Sequence, residues 1–173
     1  MNRSVRRILT QQAQEWLAEF RGFFWADGTI GVYQYPRTYQ TKAGPVSTRY
    51  LFAQAMIAQR DDNEAVLRDI QTHLGGTITN GARALFNSPT NGKIYRRAPQ
   101  RVWRQARQDD VRQIVSILRE SMMPYRGLIT LNFVEEFLDL PRPRGAHLPE
   151  ATKARMWEIH AELKQLKLYA PPI

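Results

Sequence analysis

Phe20-Arg21-Gly22-Phe23-Phe24-Trp25-Ala26-Asp27-Gly28 decides how this chain reads. Small residues recur every four positions at Ala18, Gly22 and Ala26, drawing a narrow stripe down one face of a helix. Phe20, Phe23 and Phe24, with Trp16 and Leu17, supply a bulky apolar face beside it. Such a stripe lets a second backbone approach closely, which larger side chains would prevent. Asp27 falls at the helix exit, before Gly28, which reads as a helix-terminating glycine of positive φ. An acid sits poorly against the negative end of a helix dipole, so something other than helix stability should justify it. A cation is the obvious candidate.

The 173 residues suit one compact domain. Lys and Arg number 25 against 16 Asp and Glu, a net charge of +9 that favours a polyanionic partner. Most of the excess is Arg, suited to bidentate phosphate and guanine contacts. The absence of Cys excludes disulfides, zinc knuckles and thiol catalysis. No apolar run is long enough to span a membrane. The basic start, Met1 to Arg7, turns polar at Thr10-Gln11-Gln12 and does not read as a signal peptide. The expectation is a soluble intracellular protein of a bacterium, a phage-infected cell or an organelle. His73, His147 and His160 are scattered without metal-ligand spacing.

From the opening segment outward, the pattern alternates. Thr10 can cap a first helix over residues 11–25, and Gly28 closes it. A period of two follows over residues 29–35, ended by Pro36, and Lys42-Ala43-Gly44-Pro45 signals a turn. Residues 48–59 alternate again, with Leu51, Ala53, Ala55 and Ile57 on one face and Tyr50, Phe52, Gln54 and Met56 on the other. Asp61 or Asp62 can cap a helix to His73 that buries Val66, Leu67, Ile70 and Leu74, and Gly75-Gly76 stops it. A short strand covers 77–79, a long basic connection 80–100, and a fourth strand 101–106. Helices follow over 109–120, 128–138 and 149–168. Glu162-Leu163-Lys164, with the Glu-x-Lys spacing of some nuclease sites, lies in the last of these and reads as charged helix surface.

The nonapeptide, continued by Thr29-Ile30, resembles the LAGLIDADG signature of homing endonucleases. Gly22, Ala26, Asp27 and Gly28 match it directly, and Phe20, Phe23 and Phe24 are apolar substitutes. Arg21 stands where the family has Ala, and Trp25 replaces the first of its two acids. The order of elements is similar to the family's as well. The resemblance implies an α+β fold: an αββαββα core, a curved antiparallel sheet laid on DNA, and extra C-terminal helices. It sets a domain over 1–140, with a linker and C-terminal helix, 141–173, packed on it.

It also implies a chemistry. A phosphodiester repels nucleophiles and has a poor leaving group, and Mg²⁺ or another divalent cation relieves both while needing only one or two protein carboxylates. The family's second acid, here Asp27, would hold that metal, with Ala26 beside it. Gln59 falls where a family Gln orders solvent as a catalytic residue, followed by Arg60 as its basic neighbour. Where a family Lys is expected the chain has Ile129, and Arg126 is the closest cation. A single signature implies a homodimer joined through Ala18 and Gly22, each copy supplying one acid and cutting one strand of a near-palindromic duplex. The exposed sheet face would read double-stranded DNA through Thr29, Gly31, Tyr33, Tyr35, Arg37, Tyr50, Gln54 and Met56. Thr79, Arg101 and Trp103 extend that expectation to the later strands, and Arg83, Arg96 and Arg97 to the basic connection. Trp25 and Ile129 keep a second reading open: a catalytically impaired DNA- or RNA-binding protein on the same scaffold, either a regulator or an intron-splicing maturase.

Overall fold

The computed structural model describes residues 11–81, 85–87, 94–96, 99–121, 125–142 and 148–168. Helix α1 (Gln11–Asp27) runs without a break into β1 (Gly28–Thr41), which folds back as β2 (Gly44–Arg60). A 3-10 turn (Asp61–Asn63) leads into α2 (Glu64–Leu74), then β3 (Thr77–Asn80). A short ribbon of β4 (Leu85–Asn87) and β5 (Ile94–Arg96) precedes β6 (Gln100–Gln105). Three helices complete the order: α3 (Gln108–Arg119), α4 (Tyr125–Asp139) and α5 (Glu150–Leu168).

The main sheet is antiparallel, in the order β1-β2-β6-β3. One parity of its residues is buried against the helices: Ile30 and Val32 from β1, Leu51, Ala53, Ala55 and Ile57 from β2, and Trp103 from β6. Phe20 and Phe24 of α1, Leu67 and Ile70 of α2, and the inward faces of α3 and α4 close over them. The opposite parity carries the exposed positions of the sheet, among them Thr29, Tyr35 and Arg37 of β1, Tyr50 of β2 and Thr77 and Thr79 of β3. This is the two-layer solution for a sheet with one apolar face.

Helix α5 is docked by polar contacts at two levels. His160 Nδ1 lies 3.0 Å from the Val32 carbonyl. Arg155 bonds Glu136 of α4 through Nε at 2.6 Å and Nη2 at 2.9 Å, and also reaches Glu158 and Glu162. Its guanidinium holds the Glu136 carboxyl below the ordinary carboxylate range, against a smaller upward pull from burial. Stability linked to that shift is in force above the ordinary range and is lost as pH falls through the lowered value.

Four expectations from the sequence are corrected. Pro36 does not end β1: it pairs with Arg49 inside the ladder, and β1 is an edge strand, where a residue without N–H is tolerated. Residues 35–50, apart from Gly44, are exposed, so the two strands continue as an arm that buries no side chain among the described residues. Asp61 and Asp62 fall in the 3-10 turn, and Asn63 takes the cap position of α2. The 80–100 connection carries the β4–β5 ribbon.

Gly28 has no positive φ either; among the described glycines only Gly44, Gly75 and Gly76 do. It is needed for space. A Cβ there would lie 2.6 Å from the Phe24 carbonyl oxygen and 2.8 Å from its ring. The helix turns into the strand so tightly that only hydrogen fits. Gly28→Ala is expected to destabilise the fold by about 1–3 kcal/mol, the usual range for overpacking. A lower denaturant midpoint at unchanged slope would show it.

Candidate metal corner and nucleic-acid interface

The register of β1 with β2 sets Gly28 opposite Ile57, which brings the end of α1 beside the end of β2. Asp27 is exposed there, and the last turn of α1 holds no basic residue. Its Oδ2 accepts a hydrogen bond from Gln59 Nε2 at 2.9 Å. Gln59 Oε1 in turn accepts from Asn63 Nδ2 at 3.2 Å. Two residues widely separated in sequence therefore meet, with a third that sequence reasoning did not single out. A bond to a carboxylate is charge-assisted and offsets part of the unfavourable helix dipole.

Trp25 points elsewhere. Two residues from Asp27, it lies on nearly the opposite side of the helix. Its indole nitrogen donates to Ser121 Oγ at 3.0 Å, and a Cβ at Gly127 would come within 2.8 Å of its ring. The aromatic residue thus wedges α1 against the junction of α3 and α4. Ala18, Gly22 and Ala26 form an exposed stripe on α1, and a Cβ added at Gly22 meets no atom within 4 Å.

The uncovered sheet face is aromatic and basic. Tyr35 and Tyr50 pack on Phe52, with ring centroids 4.9 and 5.6 Å apart, and Arg37 lies 4.6 Å over the Tyr39 ring. Tyr33 bends along the strand, its hydroxyl 3.3 Å from Thr29 Oγ1. Beyond β2, the same face continues with Val102 and Arg104 of β6 and Thr77 and Thr79 of β3.

No family model matches the chain, and no curated protein sequence matches it. Solved structures do. The homing endonuclease I-TnaI superposes with a TM-score of 0.61 at 16% identity, covering 88% of this chain and 93% of that one. I-CvuI, a homing endonuclease solved in complex with a DNA target, gives 0.57 at 14% identity, covering 95% and 87%. The LAGLIDADG meganuclease I-AabMI, bound to uncleaved DNA, gives 0.61 at 14% identity, covering 86% of this chain and 46% of its own. The chain has the LAGLIDADG homing-endonuclease fold.

Within the LAGLIDADG fold, the expected residues divide by strand. Thr29, Tyr35, Arg37 and Tyr50 are exposed on the uncovered face, and Tyr33 and Met56 are half-buried there. Gly31 is buried opposite Gln54, which is only 5% exposed and whose Oε1 has no hydrogen-bond partner. Thr79 is exposed on the same face, and Arg60 lies at its rim in an ion pair with Asp62. Arg101 and Trp103 belong to the other face, a correction that follows from register: Trp103 pairs with buried Ile57, and Arg101 with Gln59. Trp103 is fully buried, its indole nitrogen 2.8 Å from the Gly75 carbonyl. Arg101 is spent on Asp61, Glu64 and Asn80. Arg104 and Val102 stand on the face in their place, and Phe52 joins them there.

Arg83 and Arg97 lie outside the described residues, and Arg96 is described only as the backbone of β5 opposite Leu85. Ile129, at the expected Lys position, is half-buried in α4, and Arg126 is exposed on the same helix. No described helix is long and apolar enough to cross a membrane.

Proposed function

We propose that the chain is a divalent-metal-dependent, site-specific DNA endonuclease that works as a homodimer. The observation that carries this reading is the Gln59–Asp27 hydrogen bond at the exit of α1. It holds an exposed acid at the end of a helix whose outer face is lined with small residues.

The donor set fits a hard cation. Gln59 occupies one Asp27 oxygen and leaves the other to a ligand. Asp27 forms no ion pair among the described residues, and no cluster of three acids, His or Cys is found among them. One chain therefore offers a single carboxylate, enough for Mg²⁺, which keeps several waters and takes one or two carboxylates. A twofold partner meeting the Ala18–Gly22–Ala26 stripe would bring its own Asp27 alongside, and Ala26 would then line the metal position. Bound there, the cation would neutralise the scissile phosphate and activate water. Gln59 would orient that water, and Trp25 would hold α1 rigid through α3 and α4. Solved neighbours hold DNA in the presence of Mg or Ca, uncleaved in I-CvuI with Mg and in I-SmaMI with Ca, which supports DNA and a divalent cation as partners of this fold.

The aromatic and basic sheet face supports DNA binding. Arg37 and Arg104 suit phosphate or guanine, and Tyr35, Tyr50 and Phe52 suit thymine methyls. The match covers 46% of I-AabMI and 44% of I-SmaMI, which leaves more than half of each chain over. Two copies of the present chain would make up a comparable length.

The test is a library of double-stranded DNA incubated with the protein and Mg²⁺, then sequenced at its cut ends. Cuts in both strands at one near-palindromic site are expected, with affinity falling steeply as salt rises. Specific binding without cuts would replace this reading with that of a binding protein, which the half-buried Ile129 at the Lys position favours.

A further inference from the structure

Asn63 holds the cap position of α2, with φ −115° and ψ 22°. An asparagine there ordinarily turns its side-chain oxygen onto an N–H of the first turn. Asn63 makes no such bond. Its side-chain nitrogen donates to Gln59, with Nδ2 3.2 Å from Oε1. The Asn63 side chain is thus turned toward Gln59 and not toward the helix it precedes.

The polarity of this relay is dictated from its far end. An ionised carboxylate only accepts, so Gln59 must offer its nitrogen to Asp27. Its oxygen is then what remains for Asn63, which must offer a nitrogen of its own. With Asp27 as sole partner the Gln59 amide could swing aside. A donor on its oxygen opposes that motion, since turning the Gln59 amide over alone would set two N–H groups face to face.

We propose that Asn63 is a positioning residue for the cation site. By locking the Gln59 amide, it keeps Oδ2 of Asp27 occupied and presents Oδ1 alone to the metal. The inference rests on the metal reading of Asp27 and adds the residue that sets how the acid is offered.

Two measurements on the full chain test it. Mn²⁺ binding is followed by electron paramagnetic resonance in the wild type, Asn63→Ala, Gln59→Met and the double variant. Exchange of the Gln59 side-chain NH₂ is followed by NMR without metal. Asn63→Ala is expected to weaken Mn²⁺ binding about tenfold, as loss of an outer partner of a metal ligand does. It should also speed NH₂ exchange by roughly two- to tenfold, the range of one neutral hydrogen bond. Thermal stability should hold, because no capping bond is lost. In the Gln59→Met background, Asn63→Ala should change Mn²⁺ affinity no further, since its effect passes through Gln59. An equal loss in both backgrounds, or none in either, overturns the proposal. A wild type that binds no Mn²⁺ overturns the cation role together with the reading beneath it. Even then, the metal-free exchange data separately decide whether Asn63 fixes Gln59.

Discussion

Asp27→Asn is expected to abolish strand cleavage while leaving DNA affinity nearly unchanged. The substitution preserves shape and removes the charge that a cation needs. It also replaces an acceptor-only group with an amide that can turn a donor toward Gln59. Loss of one such electrostatic element costs on the order of 10²–10³-fold in rate, and a metal site reduced to no carboxylate per chain should lose at least that. Most of the uncovered sheet face, from Tyr33 out to Arg37 and Tyr50, lies away from this corner and should still bind. Single-turnover cleavage and gel-shift affinity on the same duplex separate the two effects. Equal cutting by wild type and variant would clear Asp27 of a catalytic role.

Gly22→Leu should separate folding from assembly. Nothing within 4 Å meets a Cβ at this position, so one chain has room for the side chain. Exchanging Gly for a better helix former in α1 should even stabilise the monomer, by roughly 0.5–1 kcal/mol. Across a twofold axis the same leucine would hold two helices apart. Overpacking of about 1–3 kcal/mol corresponds to a dimer weakened by roughly 10- to 100-fold. Sedimentation equilibrium with and without DNA reads this directly, and double-strand cutting should fall in parallel. A wild type that stays monomeric under both conditions would remove the shared site.

Much of the scaffold was legible because one face of each element is strongly apolar. Val66, Leu67, Ile70 and Leu74 announce α2, and the alternation from Tyr50 to Ile57 gives the two faces of β2. Strand β6 was not legible. Arg101-Val102-Trp103-Arg104-Gln105 carries an apolar residue on each face and a polar neighbour on each, so alternation alone does not say which is inside. Only pairing with Ile57 sends Trp103 inward and Arg104 outward. The continuation of β1 past Pro36 was hidden likewise, since edge position is a property of the sheet and not of the strand.

The corner was half legible. Asp27 stood out as an acid at the wrong end of a helix, and Gln59 only through the family resemblance, near the end of the second strand. Asn63 had no signal of its own: a helix-capping asparagine is ordinary, and only the missing cap bond marks it. Trp25 looked like a lost acid, whereas its indole bond to Ser121 makes it a structural wedge.

The unsupported arm of β1 and β2 has a consequence for how such a chain changes over generations. Side chains over residues 35–50 are almost all exposed, so most exchanges there should shift stability by no more than about 0.5 kcal/mol. The arm is thus free to drift while the corner and core stay under constraint. A selection for altered recognition would find its first tolerated variants there, and a randomised library confined to the arm should retain a high proportion of folded members.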